Sequence, residues 1–406
     1  MPFVIFACPR VSPNASQMIE AIAALPEVRV GVLTTDAAEE MPESVRKVAA
    51  AHWRIDNLFD TGQLAWAVRE LSAYAGPVHR LFGAYEQLQV PLAQVREQMG
   101  IEGMRAEAAR NFRDKSRMKE VLRRNGLPCA RHALASTVDD ALAFAAASGY
   151  PVVVKPPAGA GAIATFRADS ADQLREGLTA TGFGRGEPVL LEEFVQGEEH
   201  SCESITINGR TVWQSITRYS PTPLDVKRNP WIQWCVLLPR EHEDAVQQDI
   251  RDAAARALTA LGMDTGLSHM EWFRRPDGSI AISEVAARPP GANITTMIAR
   301  AHDMDFIEAW ARLMVFGEFS APSRQYAVGC AYLRGQGSGR IRAIHGHEIA
   351  VAALGSLVCD VQLPQIGDIP KDTYEGDGYI IVRHPDTAVV EGALLRLIST
   401  VRVELG

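Results

Sequence analysis

Glu271 and Glu284 are the residues whose types and spacing most directly suggest chemistry. They lie in two strand-like runs, Ser268-His269-Met270-Glu271-Trp272-Phe273 and Ile280-Ala281-Ile282-Ser283-Glu284, separated by Arg275-Pro276-Asp277-Gly278-Ser279. Pro-Asp-Gly is strong turn chemistry, so the two runs should form a hairpin. A two-residue Asp-Gly loop or a four-residue loop would set Glu271 opposite Glu284; an odd-length loop would break that pairing. Carboxylates opposed on one sheet face lie about 5 Å apart at Cβ and repel unless a cation neutralises them. Hard oxygen ligands at this spacing suit magnesium, which takes one or two carboxylates and completes its shell with water and nucleotide phosphates, so ATP is the expected partner. The competing reading is an exposed hairpin carrying two solvated acids.

Lys155 ends the apolar run Val152-Val153-Val154 and opens onto Gly159-x-Gly161, where its ammonium and the loop amides could converge on phosphates. The Gly-x-x-x-x-Gly-Lys-Ser/Thr order of a Walker loop is missing. Lys115, in Asp114-Lys115-Ser116, says little alone, because most helix lysines are solvated. His269 shares a strand face with Glu271, being two residues away, and reads either as a structural histidine or as a pocket member. The stretch from Trp213 to Trp234, with Pro221, Pro223 and Pro230, is either a rigid recognition loop or core aromatics. Within it Arg218 is the expected pocket residue, pairing a substrate carboxylate.

A chain of 406 residues exceeds what one core usually serves, so two or three domains sharing a cleft should position these groups. The net charge of −8 argues against a nucleic-acid groove. Six scattered cysteines without Cys-x-x-Cys spacing exclude a zinc knuckle and read as reduced thiols. No basic leader precedes the first apolar run and none approaches the ~20 residues of a membrane span, so a cytoplasmic protein without membrane contact is expected.

Phe3 to Ala7, Ser16 to Leu25 and Val28 to Thr35 read as a βαβ opening, followed by a strand near Val78 to Ala84 and a helix from Leu88 to Met99. The first turn, Pro9-Arg10-Val11-Ser12-Pro13-Asn14, lacks the glycines a dinucleotide fold needs. A helix stops at Asn125-Gly126, and a small α/β unit follows, ending in the strand Val189 to Val195. Asp244 to Leu261 repeats apolar residues at helical spacing and stops at Gly262. After about residue 325 short strands and turns lead to a last helix, Thr387 to Leu397.

In order, Asp114-Lys115-Ser116, Tyr150-Pro151-Val152-Val153-Val154-Lys155-Pro156 with its Gly loop, Glu192-Glu193-Phe194-Val195-Gln196-Gly197-Glu198-Glu199, Glu271, and Glu284-x-x-x-Arg288-Pro289-x-Gly291 resemble the ATP-grasp superfamily, in its carboxylate-amine ligase form. The resemblance implies a mixed α+β and α/β chain: an N-terminal Rossmann-like domain over 1–95, an ATP-grasp core over 96–325 with its lid at about 122–193, and a biotin-carboxylase-like α+β domain over 326–406. It implies that Lys115 and Lys155 bind ATP phosphates under the Gly159 to Ala162 loop. Glu192, Glu193, Phe194 and Val195 would meet adenine, Glu199 the ribose hydroxyls, and Glu271 and Glu284 magnesium or manganese. Arg288 would face the γ-phosphate and the substrate carboxylate. Ala286 stands where many members have Asn, leaving a second metal one ligand short, and Ala160 and Ala162 replace common loop serines.

The implied activity is ADP-forming ligation of a carboxylate to an amine, on amino acids by default, through an acyl phosphate. Rivals are a biotin-carboxylase-like or purine-biosynthetic enzyme activating bicarbonate or another small acid, and a catalytically silent ATP sensor. The C-terminal domain could also carry a homodimer surface.

Overall fold

The computed structural model describes residues 1–159, 165–180, 183, 188–229, 232–241, 247–371 and 373–406. The opening strand Phe3–Ala7 is fully buried because every residue in it is apolar or small. It is flanked in a four-stranded parallel sheet by Arg29–Thr34 and Val78–Phe82, with Ala51–Arg54 at the edge. The first helix, Pro13–Ala24, begins earlier than its apolar repeat: Ser12 caps it by accepting from Ala15 N–H, and Pro13 fits the first turn, where its missing donor costs nothing. The sheet's fourth strand, Ala51–Arg54, and the helix Thr61–Ala75 lay outside the sequence reading, which left 36–77 unassigned.

Eight antiparallel strands form the central sheet, in the order Ile280–Ala286, Gly266–Arg274, Glu198–Ile207, Arg210–Ser220, Trp234–Leu238, Ala327–Leu333, Gly378–His384, Val358–Gln362. Strands beyond residue 325 therefore extend the sheet that carries the acidic hairpin. The helix Gln248–Leu261 covers one face and ends at Gly262, whose φ of +87° suits glycine; the expected helical residues Asp244 and Val246 lie outside the described residues. Helix Phe306–Phe316 docks against the first helix and the N-terminal sheet, where Trp310 meets Phe6 and Phe82 edge to face, while Ile294–His302 lies on the central sheet against Ala327–Leu333.

A second antiparallel sheet, ordered His132–Ala135, Val189–Glu193, Val152–Lys155, Phe166–Ala168, stands apart, backed by helices Val138–Ser148 and Ala171–Ala180. Its small core rests on Val152, Val154, Leu174, Leu178 and Leu191. The helix Lys115–Arg124 leads to this unit, capped by Asp114 and closed by Gly126 at φ +65°. Among the described residues no helix is long and apolar enough to cross a membrane.

Candidate active site

A cavity of about 230 Å³ opens where the small sheet faces the central one. The small sheet and the segments that follow its strands contribute Lys155, Gly159, Glu192, Glu193, Phe194 and Val195; the central sheet contributes Glu199, Tyr219, Trp234, His269, Glu271 and Glu284. Lys115, Arg288, Ala292 and Tyr374 also line it. Alternation explains the central set, since residues two apart on a strand share a face.

The acidic hairpin reaches its pairing by an unexpected route. Arg275 N–H donates to Ser279 O at 2.8 Å and Gly278 N–H to Arg275 O at 2.9 Å, which leaves a three-residue loop with Gly278 at φ +81°. On that odd register Glu271 would face Ser283. Pairing instead steps from Trp272–Ile282 to Glu271–Glu284, so Ser283 is the extra residue of a bulge that restores the opposition. The expectation that an odd loop breaks the pair is corrected: two irregularities of opposite effect cancel.

Each acid already faces a cation. Lys115 Nζ lies 2.7 Å from Glu284 Oε1 and donates to Gly159 O at 2.8 Å. His269 Nε2 lies 3.6 Å from Glu271 Oε1, while its Nδ1 is 2.8 Å from Glu203, a carboxylate with no exposure. Burial alone would lower the His269 pKa, but Glu203 and Glu271 outweigh it and raise it to about 9. Glu271 is pushed the other way: burial would raise its pKa, yet His269 and the two lysines hold it below the usual range, an effect softened because 31% of its side chain stays exposed. The donor set of two opposed carboxylates fits magnesium. Among the described residues no group of three or more His, Cys, Asp or Glu is assembled to hold a metal, so phosphate oxygens and water would have to complete the shell.

Deeper in, Glu192 sits between Lys155 at 2.8 Å and Lys119 at 3.2 Å. Burial opposes the Glu192 charge, but the two ammonium groups hold its carboxyl below the ordinary range. Lys155 is raised because Glu192 and Glu284 overcome its burial; Lys119, with no exposure, is lowered by burial. Lys119 was missed in the sequence, although it lies one helical turn from Lys115. Glu193 pairs with Arg131 and Arg275, so its side chain ties the small sheet to the hairpin turn. The Phe194 amide donates to Pro151 O, and Arg167 stacks over the Phe194 ring. Glu199 is pushed well above its usual range by burial and by Glu271.

Arg288 Nε donates to Glu86 Oε2 at 3.0 Å, and the same carboxylate takes Arg113 at 3.0 Å. Glu86 comes from the N-terminal region and no local pattern marks it. Arg218, expected in the pocket, is not among the described residues that line the cavity; it lies 3.7 Å from Glu391, and its neighbour Tyr219 takes the cleft-facing position. Trp213 packs on His302, Phe306 and Phe319, whereas Trp234 stacks on Tyr332 beneath the cleft. Gly161, Ala160, Ala162, Pro230 and Trp231 lie outside the described residues.

Residues 120–303 match the ATP-grasp domain model. Residues 120–303 therefore carry an ATP-grasp domain, set within a mixed α/β fold that the chain shares with solved structures. An L-arginine-specific L-amino acid ligase of Bacillus subtilis is 27% identical over 277 residues, covering 66% of each chain. The chain spans about two thirds or less of the length of the curated relatives it matches. Among solved structures, an L-amino acid ligase from Bacillus licheniformis superimposes with a TM-score of 0.76 at 19% identity, over 100% of this chain and 99% of that one. A carboxyaminoimidazole ribonucleotide synthase from Aspergillus clavatus, complexed with ATP, gives 0.73 at 18% identity over 98% of each.

Proposed function

We propose that the protein is an ATP-dependent carboxylate-amine ligase that joins amino acids through an acyl phosphate, releasing ADP and phosphate. The observation that carries this is the convergence of Lys115, Lys155, Arg288 and the opposed Glu271 and Glu284 on one cavity. One relative named an L-arginine-specific L-amino acid ligase and another named an alanine–anticapsin ligase support the substrate class.

In this reading the backbone of residues 193–195 meets adenine, and Glu199 takes the ribose hydroxyls. Lys155 holds phosphate while keeping its contact with Glu192. Lys115 gives up Glu284 for phosphate, which frees that carboxylate for magnesium. Bound there with nucleotide, magnesium would neutralise phosphate charge. Arg288, held by Glu86, lies where the charge of the transferring phosphoryl group and the substrate carboxylate meet. No side-chain nucleophile is assigned, so rate comes from positioning and from a lid, residues 122–193, that excludes water from the acyl phosphate. The amine then attacks that carbonyl, forming the amide and expelling phosphate.

The test is phosphate release from ATP and magnesium across pairs of amino acids, with single-substrate and bicarbonate controls, followed by mass spectrometry. Release that needs two substrates and gives a condensed product is expected. Release with bicarbonate alone would replace this reading with a bicarbonate-activating one, and ATP binding without turnover on any pair would favour a nucleotide sensor.

A further inference from the structure

Glu203 lies outside the cavity wall yet is wired to it. It has no exposure, and its two oxygens take three partners: Ser201 Oγ donates to Oε1 at 2.7 Å, Thr217 Oγ1 to Oε2 at 3.0 Å, and His269 Nδ1 stands 2.8 Å from Oε1. Strand register builds this cluster. His269 is directly opposite Glu203, Glu271 is opposite Ser201, and Ser201 is in turn opposite Thr217. All five side chains therefore share one sheet face, Glu271 standing two residues beyond His269 on the same strand. On the hairpin's other side His269 is opposite Ala286, whose small side chain leaves the ring room.

Taking a carboxylate out of water is destabilising unless its partners are well placed, and an apolar residue of the same size would fill the position without that cost. What the carboxylate adds is orientation. An imidazole fixed at Nδ1 has its ring plane and its Nε2 direction set, and that Nε2 stands 3.6 Å from Glu271 Oε1. Glu271 is the half-open acid of the pair, with 31% of its side chain exposed, so without such a neighbour it would sample several rotamers.

We propose that Glu203 is a positioning residue for the divalent-cation site, acting through His269 to fix the Glu271 carboxylate toward Glu284. This rests on the nucleotide–metal reading of the cleft, but not on the identity of the substrates. Outer partners that orient a ligand typically change metal affinity by about 10- to 100-fold when removed.

The experiment is a Mn²⁺ titration, followed by electron paramagnetic resonance of the free ion, on the full chain with a non-hydrolysable ATP analogue. Nucleotide affinity in EDTA and thermal unfolding are measured alongside. Glu203→Gln keeps the volume and should bind Mn²⁺ about tenfold more weakly, with metal-free nucleotide affinity unchanged. His269→Gln should show the same loss, and the double variant no more than either single change, because both act along one chain of contacts. Wild-type affinity in both single variants, or losses that simply add, would overturn the proposal and leave Glu203 a core hydrogen-bond centre. If Glu203→Gln unfolds early, His269→Gln decides alone. If the wild-type protein itself takes up no Mn²⁺ with nucleotide, the metal reading of the cleft falls and this inference falls with it.

Discussion

Glu192 and Glu284 are both held by lysines and both reach one cavity, yet they are built for different work. Glu192 lies between two ammonium groups, one with no exposure, and each oxygen-to-nitrogen contact is fixed by the small sheet and the helix Lys115–Arg124. Glu284 has one lysine, a fifth of its side chain open, and a bulge beneath it. A buried carboxylate with two partners cannot release one without stranding charge, so it anchors. A carboxylate at the cleft wall can exchange its lysine for a ligand at little cost, because water and phosphate compensate. Partner number and burial, more than residue type, separate the framework from the working site.

The largest effect that would sharpen this contrast is on turnover. Glu284→Ala and Arg288→Ala should each lower ATP-dependent product formation by roughly a thousandfold or more, the scale seen when a charge-stabilising group is lost from phosphoryl transfer. Both should leave the unfolding midpoint close to wild type, since Glu86 keeps Arg113 when Arg288 is gone and Lys115 keeps the Gly159 carbonyl when Glu284 is gone. An active Arg288→Ala protein would sink the assigned mechanism.

Next in size is a stability effect on the other side of the comparison. Glu192→Ala strands Lys119 and Lys155 in the interior and should cost about 3–5 kcal/mol in urea unfolding. Glu284→Gln should cost far less. Equal costs for the two would break the distinction between anchor and exchangeable ligand.

Acid provides a subtler version. The Glu192 carboxyl is held below its ordinary value of 4.5, so the unfolded chain binds the proton more readily than the folded one. Its contribution is therefore present at neutral pH and is lost as pH falls below 4.5 through the depressed value. The stability gap between wild type and Glu192→Gln should narrow over that range. A gap that stays constant to pH 3 would mean the lysines do not hold the carboxylate as described.

Much of the frame was legible in the sequence because it is written in local signals. Capped helices, Gly-terminated ends and the Pro-Asp-Gly hairpin follow from neighbouring residues. The cleft also gathers most of the residues the motifs singled out. What escaped depends on long-range pairing. Glu86 meets Arg288 across 202 positions, Glu203 meets His269 across 66, and the Ser283 bulge offsets a turn whose length alone gave the wrong parity. Lys119 is different, since its helical spacing from Lys115 was readable and its burial was not.

Arg218 supplies the smallest expected effect and a control on the face assignment. It sits beside Tyr219, and alternation sends it away from the cleft toward Glu391 at 3.7 Å, with 42% of its side chain exposed. An ion pair this long and this solvated contributes under about 1 kcal/mol. Arg218→Ala should therefore change stability by no more than that and leave kcat and KM for both substrates within about twofold. A tenfold rise in KM for the carboxylate substrate would mean that this strand turns over when the cleft fills, and the cleft-facing role of Tyr219 would have to be given up with it.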